Sequence, residues 1–64
     1  MLVATLCKGW TVKIDHEEFT AIGNQKIRST YWYILECKKT KKNYKLRREE
    51  YLDMQKQGKL SVSA

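Results

Sequence analysis

The feature that most constrains this sequence is an alternation of apolar and polar residues on both sides of the dipeptide Gly23-Asn24. Val12 and Ile14 lie before the dipeptide, and Tyr33 and Leu35 lie after it. A period of two indicates β-strands with one buried face, and Gly-Asn between two such segments predicts a two-residue hairpin turn. In this hairpin Val12 faces Leu35. A slip of one residue would move every apolar side chain to the wrong face.

The same register predicts a second, mostly polar face on the hairpin. This face carries Phe19 and Trp32 among four basic residues, Lys13, Lys26, Arg28 and Lys38. Aromatic rings between basic side chains are typical of surfaces on which unpaired nucleic-acid bases stack. Because Phe19 and Arg28 face each other in this register, a cross-strand cation–π pair is the simpler interpretation of those two residues.

Two further strands extend the hairpin. The apolar residues 1–7 predict a strand that joins the hairpin through a turn with Gly9 in the left-handed conformation. On the other side, a loop over residues 39–42 leads to a fourth strand and places Leu35 opposite Leu46.

After Leu46 the pattern changes to that of a helix. Residues 47–57 contain helix formers with two glutamates in the first turn, and Gly58 follows as a C-terminal stop. The predicted fold is α+β, a four-stranded antiparallel β-meander with one C-terminal α-helix packed on one face. Residues 1–59 form a single small domain in this prediction, and residues 60–64 form a C-terminal tail. The predicted core consists of Leu2, Leu6, Trp10, Val12, Ile14, Tyr33, Leu35, Leu46, Leu52 and Met54.

The positive charge is concentrated in one part of the chain. The 64 residues carry 13 Lys and Arg against 7 Asp and Glu, for a net charge of +6. Residues 26–48 hold nine basic residues and one acid, whereas residues 1–25 and 49–64 each have a net charge of −1. A basic segment of this kind indicates contact with a polyanion.

We therefore predict a non-enzymatic module that binds DNA, RNA or another polyanion. The alternatives are a solvated lysine-rich loop that protects a sheet edge, a docking surface for an acidic protein, and a protein partner or homodimer on a sheet face around Trp32 and Phe19. The predicted nucleic-acid-binding residues are Lys38, Lys39, Lys41, Lys42, Lys45, Arg47, Arg48, Arg28, Lys26, Trp32 and Phe19.

Other chemistry has weaker support in the sequence. Residues 15–18 contain three carboxylates and the single histidine, but they lack further metal ligands. Zinc bound by His16, Cys7 and Cys37 would need a fourth ligand. A small ribonuclease that uses His16, Arg28, Tyr31 and lysine side chains for acid–base catalysis is a weaker alternative, because the chain is short even for that class of enzyme. We expect no catalytic site, no metal and no cofactor.

The chain length, the lack of a long apolar run and the two cysteines predict the cellular compartment. A chain of 64 residues has room for one domain with a thin core, and no apolar run approaches the roughly 20 residues of a membrane span. Two distant cysteines, Cys7 and Cys37, favour a cytoplasmic protein with reduced thiols over a disulfide-bonded one. The meander-plus-helix pattern also occurs in DNA-binding arms of recombinases and in small phage-type proteins, an analogy at the level of the fold.

Overall fold

The computed structural model of the protein describes residues 5–64, which form five β-strands and one α-helix. In chain order the elements are β1 (Thr11–Ile14), β2 (Glu17–Ile27), β3 (Thr30–Cys37), β4 (Asn43–Arg47), α1 (Arg48–Lys56) and β5 (Leu60–Ser63). The strands form one antiparallel sheet in the order β4-β3-β2-β1-β5.

The predicted α+β class, with an antiparallel sheet and a single C-terminal helix, is confirmed, but the sheet has five strands rather than four. The extra strand, β5, lies in residues 60–64, for which the sequence predicts a tail. It pairs with β1, where Val62 faces Val12, and it buries Leu60. The predicted N-terminal strand lies partly in residues 1–4, outside the described residues. Residues 5–10 contain no strand.

The hairpin turns do not lie where the sequence predicts them. Gly23-Asn24 is inside β2, next to a shift in register at which Ile22 is the extra residue of a β-bulge. The two-residue turns are Asp15-His16 and Arg28-Ser29. In each turn the first residue has a positive φ, 56° for the aspartate and 57° for the arginine.

The turn at Asp15-His16 decides which face of the sheet carries Phe19. In one continuous strand, Phe19 and Val12 would point to opposite faces, because they are an odd number of residues apart. The hairpin instead places Phe19 directly opposite Val12, on the same face. Phe19 is therefore a core residue, only 8% exposed, and its predicted place on the polar face is wrong.

Helix α1 covers one face of the sheet, which we call the inner face. Its residue Tyr51 is fully buried and packs edge-on against Tyr33 of β3, with ring centroids 5.0 Å apart. The helix ends at Lys56, and Gly58 follows as the predicted stop with a φ of 77°. The Lys59 N–H donates a hydrogen bond to the Met54 carbonyl at 2.9 Å. A helix of nine residues is unstable alone, so docking on the sheet stabilises it.

The core lies between α1 and the inner face. Four predicted core residues are buried, and five more are partly buried against them; Leu2 lies outside the described residues. The buried set is Leu6, Val12, Phe19, Ala21, Tyr33, Leu35, Cys37, Tyr51 and Leu60, and the partly buried predicted residues are Trp10, Ile14, Leu46, Leu52 and Met54.

Candidate nucleic-acid interface

The sheet face opposite α1, which we call the outer face, carries Trp32 and Ile34 on β3, the strand next to the edge strand β4. They alternate along β3 with the buried core residues, and both are half-buried. On the neighbouring strand β4, Lys45 lies opposite Ile34 and Arg47 lies opposite Trp32. The aromatic Trp32 and the aliphatic Ile34 therefore lie beside two basic residues of β4.

Residues 38–42, which we call the lysine loop, connect β3 to β4 at one end of the sheet. The Lys41 N–H donates to the Cys37 carbonyl at 2.8 Å, and the Cys37 N–H donates to the Lys42 carbonyl at 2.9 Å. The side chains of Lys39, Lys41 and Lys42 are exposed, and within residues 5–64 they form no ion pair. Their charges therefore remain available to a ligand.

The register after the lysine loop differs from the prediction by two residues. Leu35 lies opposite Tyr44 rather than opposite Leu46. Because side chains alternate with a period of two, this shift leaves every β4 residue on its predicted face. Lys45 therefore stays on the same face as Trp32.

Lys38 is the member of the lysine loop that is already engaged. Its Nζ donates to Thr11 Oγ1 at 3.0 Å and lies 3.5 Å from Glu18 Oε1. The contact is possible because the end of β3 lies beside the start of β2, so an acid twenty residues away in sequence neutralises this lysine. Glu18 and Lys38 tie the loop to the outer face of β2 and β1.

The two arginines of the basic segment have different surroundings. Arg47 is paired with Glu50, with its Nη2 and Nε at 2.7 and 2.8 Å from Glu50 Oε1. Arg48 is exposed and borders a hollow with Asn24 and Tyr31 on the helix side of the sheet. The structure therefore does not bring Arg48 together with Trp32.

Three predicted site residues do not join the lysine loop on the outer face. Phe19 is buried beneath Tyr44, with ring centroids 5.7 Å apart, and cannot stack with a base on the outer face. Lys26 lies near the end of β2 and Arg28 lies in the turn after it, about 23–30 Å along the chain from Phe19 and at the opposite end of the sheet from the lysine loop. The predicted cation–π pair between Phe19 and Arg28 is therefore wrong.

The indole of Trp32 presents hydrocarbon to solvent. The residue is half-buried, but its Nε1 is buried and has no hydrogen-bond partner within residues 5–64. The part of the ring that solvent reaches is therefore carbon. Such a surface suits stacking better than hydrogen bonding.

Acidic residues lie beside the lysine loop. A hollow at this end of the sheet is bordered by His16, Glu17, Glu18 and Lys39, together with Tyr44. In the part of the chain that the structure describes, no group of three or more His, Cys, Asp or Glu side chains is placed to hold a metal ion. These acids reduce the positive potential on the β2 side of the loop.

Both cysteines are free thiols, as the sequence favours. Cys7 is exposed and Cys37 is buried at the base of the lysine loop. Hydrogen bonds from the Thr40 side chain and backbone lower the pKa of the Cys37 thiol from its ordinary value, against the opposing effect of burial. Thr40 also accepts a hydrogen bond from the Lys42 N–H at 3.4 Å, so Thr40 contacts both the Cys37 thiol and the backbone of the lysine loop.

Two outer-face positions were not identified as site residues from the sequence. Gly23 lies opposite Ile34, and Gln25 lies opposite Trp32. The signal that could have found the first is a single glycine inside an otherwise regular strand pattern, which marks a bulge or a close approach of another group.

No protein-family model, curated protein or solved structure matches this chain. Within residues 5–64, no helix combines the length and the apolar character needed to cross a membrane.

Proposed function

We propose that this protein is a small non-enzymatic, cytoplasmic module that binds nucleic acid. Lysines of the lysine loop and of β4 contact phosphates, and Trp32 contributes an aromatic surface on the outer face. The observation that carries the proposal is that Lys39, Lys41, Lys42 and Lys45 are exposed and without ion pairs within the described residues. An origin in a phage or mobile element stays a prediction from fold-level analogy.

Four free lysines set the expected dependence of binding on salt. Each phosphate contact contributes about −0.7 to the slope of log K against log salt for a single strand and about −0.9 for a duplex. Four contacts therefore give a slope of about −2.8 or −3.6. Between 50 and 200 mM salt, the affinity should then fall about 50-fold for a single strand and about 150-fold for a duplex.

The test is fluorescence anisotropy with labelled oligonucleotides at several salt concentrations. In Lys41→Glu/Lys42→Glu, two contacts remain, so the fall for a single strand shrinks to about 7-fold and binding at low salt is lost or strongly weakened. Lys8→Glu/Lys59→Glu is the matched control, because it makes the same change in net charge at two exposed positions outside the basic segment. An affinity that does not change between 50 and 200 mM salt would refute the proposal.

A second candidate function is a protein-interaction module, either an accessory subunit or inhibitor, or a homodimer. The half-buried Trp32 and Ile34 favour it, together with Ile27, which is 37% exposed, because they lie on the sheet face that no element of residues 5–64 covers. Here Trp32→Ala should abolish association while Lys41→Glu/Lys42→Glu leaves it intact. Size-exclusion chromatography with light scattering at two salt concentrations measures the homodimer directly.

A further inference from the structure

Resting on the proposed function, we propose that the bound nucleic acid is single-stranded and that one unpaired base stacks in an open notch on the outer face. The notch is the space above the Gly23 backbone beside Trp32 and Ile34.

Gly23 leaves space that no other part of the described structure fills. A Cβ placed on this residue would meet nothing within 4 Å, and its φ is outside the left-handed region. The backbone conformation therefore does not require glycine here. A glycine inside a strand is typical of a bulge or of a place where a ligand approaches the backbone closely. The bulge at Ile22 lies next to Gly23, but the kind of bulge that requires glycine has it in the left-handed conformation, which Gly23 does not adopt, so the close approach of a ligand is the interpretation that we take.

The walls of the notch come from two neighbouring rows of the sheet. Ile34 faces Gly23 directly, and one step along the strands Trp32 faces Gln25. On the far side of β3, Lys45 and the partly engaged Arg47 continue these rows on β4. Lys45 and the notch lie two strand spacings apart, about 10 Å. A phosphate backbone along β4 therefore leaves its bases over β3 and β2.

The shape of this surface selects a single strand. A duplex keeps its base faces stacked inside the helix, so a flat sheet face cannot reach them. An unpaired base offers its ring face to the hydrocarbon of Trp32 and to the open peptide surface of the notch. Gln25, exposed at the rim, can donate to or accept from the base edge.

Filling the notch should remove the stacked base without touching any charge. Gly23→Val places a β-branched side chain in the open space, and valine favours the strand conformation, so the variant should fold. Stacking of one base is commonly worth about 5-fold to 150-fold in affinity. We expect Gly23→Val to weaken binding at least about 5-fold while the salt slope stays unchanged.

The experiment measures anisotropy with oligothymidine, oligouridine and a duplex, each of about ten nucleotides, within the usual range of site sizes. Ser61→Val is the matched control, because Ser61 is exposed on the same face, beside Lys13 and two strands away from β2. The two single strands distinguish DNA from RNA as the source of the bases. The NMR signal of the Trp32 indole N–H, followed in the same titrations, reports contact at the notch.

The outcomes separate this inference from the proposed function. Weaker single-strand binding in Gly23→Val alone, with a shift of the Trp32 signal, supports the notch. Equal binding by wild type, Gly23→Val and Ser61→Val overturns the notch and leaves the proposed function standing, as does a duplex that binds as tightly as either single strand. Absence of binding to every oligonucleotide at low salt overturns both, and a protein partner or a second copy is then the occupant. If thermal unfolding shows that Gly23→Val is unfolded, an unmoved Trp32 signal in the wild type still refutes the inference.

Discussion

Tyr51 is the side chain through which helix α1 is attached to the sheet. It is the one α1 residue that is fully buried, and its ring meets Tyr33 at 5.0 Å with an interplanar angle of 67°. The other apolar residues of the helix, Leu52 and Met54, are only half-buried. Replacing Tyr51 with alanine should therefore undock the helix from the core.

The size of the effect follows from burial and chain length. Truncating a buried aromatic side chain to alanine costs about 3–5 kcal/mol. A 64-residue domain has a total free energy of unfolding of roughly 3–10 kcal/mol. Tyr51→Ala therefore removes between a third and all of the stability. Tyr51→Phe keeps the ring and loses only the hydrogen bond between the hydroxyl and Gln55, at a cost of about 1 kcal/mol.

Urea unfolding followed by circular dichroism measures both variants. With a slope of about 1 kcal/mol per molar urea, Tyr51→Phe should lower the midpoint by about 1 M and Tyr51→Ala should lower it by about 3–5 M, as far as the stability of the wild type allows. A Tyr51→Ala midpoint within 1 M of the wild type would refute the reasoning, because the fold would then not depend on this contact.

Two further predictions concern the helix and the last strand. Burial raises the pKa of Tyr51 above its ordinary value of 10.0, and Tyr33 adds to the rise. The folded protein therefore keeps this proton where the unfolded chain begins to lose it, so the urea midpoint should fall as the pH rises above about 10, and less steeply in Tyr51→Phe. Deleting residues 60–64 removes the buried Leu60 and the pairing with β1, and it should lower the free energy of unfolding by more than about 2 kcal/mol in the same assay.

Turn chemistry explains why the sequence predicts the hairpins in the wrong places. Gly23-Asn24 is the strongest hairpin dipeptide in the chain, yet it lies within β2. Asp15 tolerates the positive φ that it adopts, so the sequence contains a signal for the turn at Asp15-His16. The Gly23-Asn24 dipeptide is a stronger turn signal, and the prediction follows it instead. Arg28 has no such preference. Its turn is set by the pairing of β2 with β3, which only the folded sheet supplies.

The predicted sheet face of a residue is right or wrong depending on the kind of register error in its strand. The β3 assignments hold because Trp32 and the core residues alternate whatever the partner strand is, and the β4 assignments hold because the register error is two residues. The assignment of Phe19 fails because a two-residue turn reverses the face of everything after it relative to a continuous strand. An aromatic pair on one face thus becomes one outer-face tryptophan and one core phenylalanine.

The number of basic residues that are free to contact phosphate also depends on the fold. Seven of the residues 38–48 are basic, and seven phosphate contacts would give a roughly 900-fold loss of single-strand affinity between 50 and 200 mM salt. Lys38 and Arg47 are paired with Glu18 and Glu50, and Arg48 lies on the helix side, so four lysines remain. Breaking both ion pairs would give six contacts and a loss of roughly 340-fold, whereas the four free lysines give a loss of roughly 50-fold, so a measured slope decides which of the two a bound strand does.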